Sequence, residues 1–257
     1  MAKISFYKYQ GTGNDFIFID NRDKCFDYQD ISKINYLCNR KFGIGADGLV
    51  LIENHSDYDF EMIYFNPDGS QSFCGNASRC CTMFAKKLAL ITDNTRFLAI
   101  DGGHEAFIKN ELIYLKMNDV ENFETLGEDC FLNTGSPHFI RYVSELDNYP
   151  VIEQGRSIRY SQRYSEKGTN VNFVQLEKEN KVVVRTYERG VENETLSCGT
   201  GVTAVALAAS FKNYISPVKV KTLGGDLQVS FKRENGRFEE IYLIGPAVLV
   251  FEGQIEV

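Results

Sequence analysis

A near-repeat constrains this chain more than any other feature. "SFCGNASRCCTMFA" starts at Ser72 and "TLSCGTGVTAVALAAS" at Thr195, which puts Cys74 and Cys198 124 positions apart in 257 residues. An interval near half the chain is what a duplicated domain leaves behind. Two further landmarks recur in the same order. Thr12-Gly13-Asn14-Asp15-Phe16 is matched by Thr134-Gly135-Ser136-Pro137-His138-Phe139, offset by 122 at the glycine and 123 at the phenylalanine, and Gly102-Gly103 is matched by Gly224-Gly225, offset by 122. The repeat implies two homologous lobes, an N-terminal one over 1–116 and a C-terminal one over 117–247. The tail 248–257 is expected to return to the first lobe as a strand.

Short β-rich stretches ("DFIFID", "LVLIEN", "FEMIYF", "FVQLE", "KVVVRTYE") alternate with turns and predict sheets. The segments after the two cysteines read as helices. Ala77, Cys80, Cys81, Phe84, Ala85 and Leu88 hold the spacing of one apolar helical face, whereas Val202 to Phe211 is apolar nearly all round, the pattern of a helix enclosed by sheet. The fold class is therefore α+β, with each cysteine at the start of a helix.

With 35 acidic against 28 basic residues and a formal charge of −7, a general attraction to nucleic acid is not expected. The first residues carry charges where a signal peptide needs an apolar core, and no apolar run approaches the ~20 residues that span a bilayer. We expect a cytoplasmic protein without a membrane partner. Seven cysteines at irregular spacing, no Cys-x-x-Cys pair and three histidines suggest neither a disulfide framework nor a metal site.

A thiol at a helix start has chemistry available to it. The exposed backbone N–H groups and partial positive charge there stabilise an anion by ~0.3–1 kcal/mol, or up to ~2 when partly buried. That moves a thiol by about one pKa unit toward neutrality. Two such thiols facing one small anion would share a proton, since repulsion raises the second ionisation. One base and one acid on opposite faces suit inversion of a carbon next to a carboxylate. The competing reading is that a cysteine is an ordinary core residue. That suits Cys25, Cys38, Cys80, Cys81 and Cys130, but not a Cys-Gly placed at the same helix start in both halves.

The motifs "KYQGTGNDF", "FGIGADGL", "FNPDGSQSFCGNASR", "NTGSPHF", "NVNFVQ", "YERGVENETLSCGTG" and "GPAVLVFEG" together resemble the diaminopimelate epimerase family, over about residues 6–253. The resemblance implies two pseudo-symmetric β-barrel-like lobes, each around a central helix, and interconversion of LL- and meso-2,6-diaminopimelate in lysine and peptidoglycan precursor biosynthesis. It implies no cofactor, no metal, and a homodimer. Cys74 and Cys198 match the family's acid/base thiols. Gly75, Asn76, Gly199 and Thr200 match the amides that hold the reacting carboxylate. His138 and Glu188 match residues that support proton transfer, and Asn14, Asn66, Asn170, Glu188 and Arg189 match substrate ligands. Phe251 stands where some members place a dimer-contact aromatic.

Each of these has a plainer reading: a turn asparagine for Asn14 and Asn66, an ion pair for Glu188 with Arg189, a core histidine for His138. Ser136 replaces an Asn of many members, Gly48 replaces a Gln of some, and the loop before Cys198 is one residue longer. Gly43-Ile-Gly45-Ala-Asp-Gly48 fits a dinucleotide-binding pattern, but it follows a helix-like segment and leads into a strand, the reverse of the required order. Two rivals remain at this level. One is a proline racemase or hydroxyproline epimerase, the other a non-catalytic amino-acid-binding protein.

Overall fold

The computed structural model describes residues 3–256. It separates into two compact units, one running to Leu115 and resuming at Pro246, the other spanning Lys116–Gly245.

The first unit contains β1 (Lys3–Gly11), β2 (Asn14–Asp20), α1 (Ile31–Cys38), β3 (Gly48–Glu53), β4 (Phe60–Phe65), α2 (Gly75–Lys87), β5 (Asn94–Ala99), β6 (Gly102–Lys109) and β7 (Leu112–Lys116). The second contains β8 (Phe123–Leu126), β9 (Asp129–Asn133), β10 (Pro137–Tyr142), α3 (Val151–Arg159), β11 (Asn170–Glu177), β12 (Lys181–Glu188), β13 (Asn193–Thr195), α4 (Gly199–Ala209), β14 (Val218–Thr222), β15 (Gly225–Glu234) and β16 (Arg237–Gly245). The final strand, β17 (Val248–Glu256), pairs antiparallel with β1.

The two ladders have the same plan. In the first unit β1–β2 is antiparallel, β2–β3 parallel, β3–β4 antiparallel, β4–β5 parallel, and β5–β6 and β6–β7 antiparallel. The second repeats that alternation through β9–β10, β10–β11, β11–β12, β12–β14, β14–β15 and β15–β16. β17 against β1 has its counterpart in β8 against β9. A parallel step needs a crossover, and the helices supply it. α1 and α3 link the first parallel pair of each unit, α2 and α4 the second.

Each ladder wraps its second helix. α2 packs on β1, β2, β3, β4 and β6, and α4 on β9, β10, β11, β12, β14, β15 and β16. The sequences show how. α4 has nothing larger than leucine, so strands approach on every side, and Val202 and Ala204–Ala209 are buried. β3 is buried at every position because α1 covers one face and α2 the other. Ile17, Ile19, Leu49 and Leu51 join Ile34 and Leu37 under α1. Alternate residues point the other way, as the pleat requires, and Phe18 meets Phe84 of α2 with ring centroids 5.3 Å apart. In the second unit Phe139, Val171 and Phe173 pack with Val151 of α3, which turns His138, Asn170 and Asn172 to the opposite face.

Register corrects two sequence matches. Phe16 pairs with Gly48 and His138 with Asn170, so Phe16 has His138, not Phe139, as its counterpart. Gly102 and Gly225 each open a strand, with φ of 129° and 142°, so Gly102 corresponds to Gly225 rather than Gly224. Only glycine adopts those angles readily. Among the described residues no helix is long and apolar enough to cross a membrane.

Candidate active site

Cys74 and Cys198 are the N-cap residues of α2 and α4, with φ, ψ of −137°, 115° and −122°, 113°. In each unit the crossover ends by aiming a Cys-Gly step at the helix start, so the first backbone amides, of Gly75 and Asn76 or Gly199 and Thr200, lie beside a sulfur. The duplication thus places two thiols in equivalent backbone settings.

Around Cys74 the neighbours are amides. Its Sγ accepts from the Ala77 N–H at 3.5 Å and donates to Asn14 Oδ1 at 3.8 Å. Asn76 Nδ2 donates to the same Asn14 oxygen at 3.3 Å, while Asn14 Nδ2 donates to Asp47 Oδ2 at 2.6 Å. Asp47 therefore fixes which end of the Asn14 amide faces the thiol. Arg40 bonds both Asp15 and Asp47, and Lys8 reaches Asp15 at 2.8 Å and the Gly45 carbonyl. The Gly43–Gly48 motif lies between α1 and β3, the wrong context for a dinucleotide loop, and its work here is to carry Asp47.

Around Cys198 the neighbours are hydroxyls and a ring. Thr200 Oγ1 lies 3.5 Å from Cys198 Sγ, 2.9 Å from His138 Nε2 and 3.0 Å from Ser136 Oγ, and Ser136 Oγ is 2.9 Å from His138 Nε2. Asn172 Nδ2 donates to His138 Nδ1 at 3.2 Å. That leaves the ring proton on Nε2, facing the hydroxyls. Complete burial, with the charge of Arg189 second, pulls His138 down to about 3, so the ring is neutral at pH 7. Asn170 Nδ2 donates to Ser136 Oγ at 3.2 Å, and its Oδ1 accepts from the Arg189 N–H at 2.9 Å.

Glu188 and Arg189 do not pair with each other. Glu188 accepts from Thr195 Oγ1 at 2.8 Å, and burial raises its carboxyl, partly offset by that hydroxyl. The Arg189 guanidinium donates to the Lys167 carbonyl at 2.8 Å. The loop before Cys198 opens with a tight turn from Glu188 to Glu192, closed by a backbone bond of 2.8 Å from the Glu192 N–H to the Glu188 carbonyl. Asn66 is held within its own loop, donating to Ser70 Oγ at 3.0 Å and Ser72 Oγ at 3.2 Å and accepting from Tyr64 at 3.2 Å. Gly48 has a steric reason: a Cβ there would meet the Tyr64 ring at 2.4 Å.

Three contributors escaped the sequence reading: Asp47, Asn172 and the Thr200 hydroxyl. Asn172 left a signal, being a second buried asparagine two residues after Asn170 and so on the same strand face. Among the described residues no group of three or more His, Cys, Asp or Glu could hold a metal ion.

A family model described as diaminopimelate epimerase matches residues 6–115 and 130–250. The diaminopimelate epimerase of Flavobacterium psychrophilum is 50% identical over 256 residues, covering 98% of this chain and 100% of that protein. That of Aquifex aeolicus is 38% identical, with 98% of each chain covered. Two solved structures share the fold at low identity. A PhzF-family phenazine biosynthesis protein of Bacillus anthracis aligns over 100% of both chains at TM-score 0.74 and 14% identity. A hydroxyproline epimerase from Agrobacterium vitis covers 99% of this chain and 92% of its own at TM-score 0.67 and 13% identity. With both halves matched and half its residues identical to one of the relatives, the chain belongs to the diaminopimelate epimerase family of isomerases.

Proposed function

We propose that this protein interconverts LL- and meso-2,6-diaminopimelate by a cofactor-independent, two-thiol, two-base proton transfer, in lysine and peptidoglycan precursor biosynthesis. The observation that carries this reading is the pair of N-cap cysteines at equivalent points of two like-built units. The relatives' names supply the substrate.

In this mechanism the substrate carboxylate takes the helix-start amides of Gly75, Asn76, Gly199 and Thr200. There the N–H groups and helix dipoles favour the negative charge that grows as the α-carbon loses its proton. One thiolate removes that proton, and the thiol on the other face returns one, so the starting protonation pattern is exchanged by each turnover. His138, kept neutral, acts through Thr200, whose hydroxyl can donate to a Cys198 thiolate or accept from the thiol. Glu188, with its carboxyl raised by burial, and Asn170 serve the ammonium and carboxylate of the substrate with Asn14, Asn66 and Arg189. Asp47 holds the Asn14 amide so that its oxygen, an acceptor, faces Cys74 and Asn76.

The direct test incubates the protein with LL-diaminopimelate, with no pyridoxal phosphate or metal added, and follows the isomers by chiral chromatography. Formation of meso product is expected. Binding without conversion would favour a non-catalytic amino-acid-binding protein, and conversion of proline but not diaminopimelate would favour the racemase reading.

The reading includes a cytoplasmic homodimer. β17 presents Val248, Leu249, Val250 and Phe251 to the outside, with Phe251 47% exposed. A run of exposed apolar residues of this kind suits a second copy. Phe251→Glu should then shift the sedimentation profile toward monomer, and an unchanged profile would contradict a dimer through this strand.

A further inference from the structure

Arg79 is fully buried in α2, and among the described residues no carboxylate pairs with it. A buried charge without a partner costs several kcal/mol, and an arginine stays protonated in proteins, so the cost is not relieved by losing the proton. Such a residue is kept where its charge has a use.

Its contacts bracket the first thiol. Nη1 donates to the carbonyl of Gly75, the residue after Cys74, at 3.4 Å, and Nη2 donates to Thr12 Oγ1 at 3.2 Å. Thr12 lies in the β1–β2 turn, two residues before the Asn14 that touches Cys74 Sγ. The Nε of the guanidinium is buried with no hydrogen-bond partner. In the second unit the position at the same distance from its cysteine is Thr203, whose hydroxyl donates to the Gly199 carbonyl at 3.0 Å. The duplicated frame therefore carries a fixed cation behind one thiol and a neutral hydroxyl behind the other.

Other titratable groups at this helix start do not supply the missing anion. Cys80 interacts with Arg79, but burial pushes its thiol up to about 12. Burial also raises Cys81 on the helix and Tyr9 on β1 well above neutrality. Tyr64 on β4 donates to Asn66, and His104 on β6 bonds the Asp101 carboxylate at 2.8 Å and lies over Phe73. Asn14 Oδ1, an acceptor at 3.8 Å, favours the protonated sulfur. A neutral contact at that range is weaker than a full charge in a low-dielectric interior. Cys74, which interacts electrostatically with Arg79, is the remaining group able to carry the negative charge.

We propose that Arg79 is the counter-ion that biases the shared proton, holding Cys74 as the thiolate and leaving Cys198 as the thiol in the resting enzyme. Arg79 is a positioning residue: it touches no substrate and acts through Cys74. The inference rests on the two-thiol reading above, but its test reads thiol ionisation and needs no turnover, so the two can fail separately.

The experiment measures the pH midpoint of iodoacetamide alkylation at each cysteine by mass spectrometry of peptides, in the native chain, Arg79→Gln and Arg79→Lys. The native chain should show a lower midpoint for Cys74 than for Cys198. Arg79→Gln should raise the Cys74 midpoint by about one unit or more, as loss of a nearby opposite charge does, with Cys198 unmoved or lowered, and Arg79→Lys should restore it. A Cys74 midpoint unchanged in folded Arg79→Gln would overturn the proposal. So would a native chain in which Cys198 ionises first, and that comparison decides the matter if the Gln variant does not fold.

Discussion

The starts of α2 and α4 share a backbone and differ in what surrounds it. Cys74 and Cys198 have nearly the same φ and ψ, and each precedes a glycine. Yet the first sulfur accepts a helix N–H and sits among amides ordered by Asp47, with a buried guanidinium behind it. The second has no side-chain cap bond and leans on a hydroxyl tied to a neutral imidazole. Duplication fixes where two equivalent groups stand, and the side chains beside them then make the groups unlike. A reaction that needs a base on one side and an acid on the other is served by that divergence.

The comparison breaks most completely if either sulfur is removed. Cys74→Ala and Cys198→Ala should each lower the epimerisation rate by about 10³-fold or more, since either change leaves one face without its proton partner. Initial rates by chiral chromatography check this, and near-normal turnover in either variant would contradict it.

A smaller effect separates the helices at their third positions. A Cβ on Gly201 would meet Asn172 Oδ1 at 2.7 Å and His138 Cε1 at 3.2 Å, while α2 already has Ala77 at the matching place. Gly201→Ala should therefore displace the His138 ring, cost about 1–3 kcal/mol of stability and lower activity roughly tenfold or more. Ala77→Gly should cost no more than about 1 kcal/mol, as a helix glycine does. Urea unfolding and initial rates on both variants test the asymmetry.

Burial of His138 makes a third, pH-dependent difference. Its folded-state value of about 3 lies below the ordinary 6.5, so between those values the unfolded chain binds a proton that the folded chain does not. Stability attributable to this group is therefore present above the unfolded value and falls as pH drops toward 3. Between pH 7 and pH 5 the native chain should lose roughly 2 kcal/mol more than His138→Gln in urea unfolding. Equal losses would mean that His138 is protonated in the folded protein.

Cys81 marks the small end of the scale. It is buried in α2 and has no part in the proposed proton transfer, so Cys81→Ala should cost about 1 kcal/mol of stability and keep activity within about twofold. A loss near that of Cys74→Ala would show that the assay reports helix integrity rather than the thiol.

Much of this was legible in the sequence because duplication turns weak signals into paired ones. One Cys-Gly before a helix says little; two, half a chain apart, say where to look. Asn170 was named through the family resemblance of "NVNFVQ", and strand alternation then explains why Asn172 shares its face. Exact equivalences were less legible. Matching Phe16 with Phe139 followed residue type, whereas the parallel ladder puts His138 there, turned toward α4. Arg79 was hidden for a different reason: an arginine on a helix reads as surface, and only the closure of the ladder around α2 buries it. Asp47 was masked by a glycine pattern that drew attention to phosphates. Its role depends on β2 and β3 lying side by side, which brings it within 2.6 Å of Asn14.

Whether one thiol works on each face is decided by the path of the proton. LL-diaminopimelate is converted in D₂O, the reaction is stopped early, and both isomers are analysed for label. With two bases, the proton removed by one thiol is not the one delivered by the other, which has already exchanged with solvent. The meso product should carry deuterium at the inverted carbon, and recovered LL isomer should be almost free of it. Rapid labelling of the LL isomer ahead of product formation would contradict it, because a single base would then be returning solvent-exchanged hydrogen to the face from which it came.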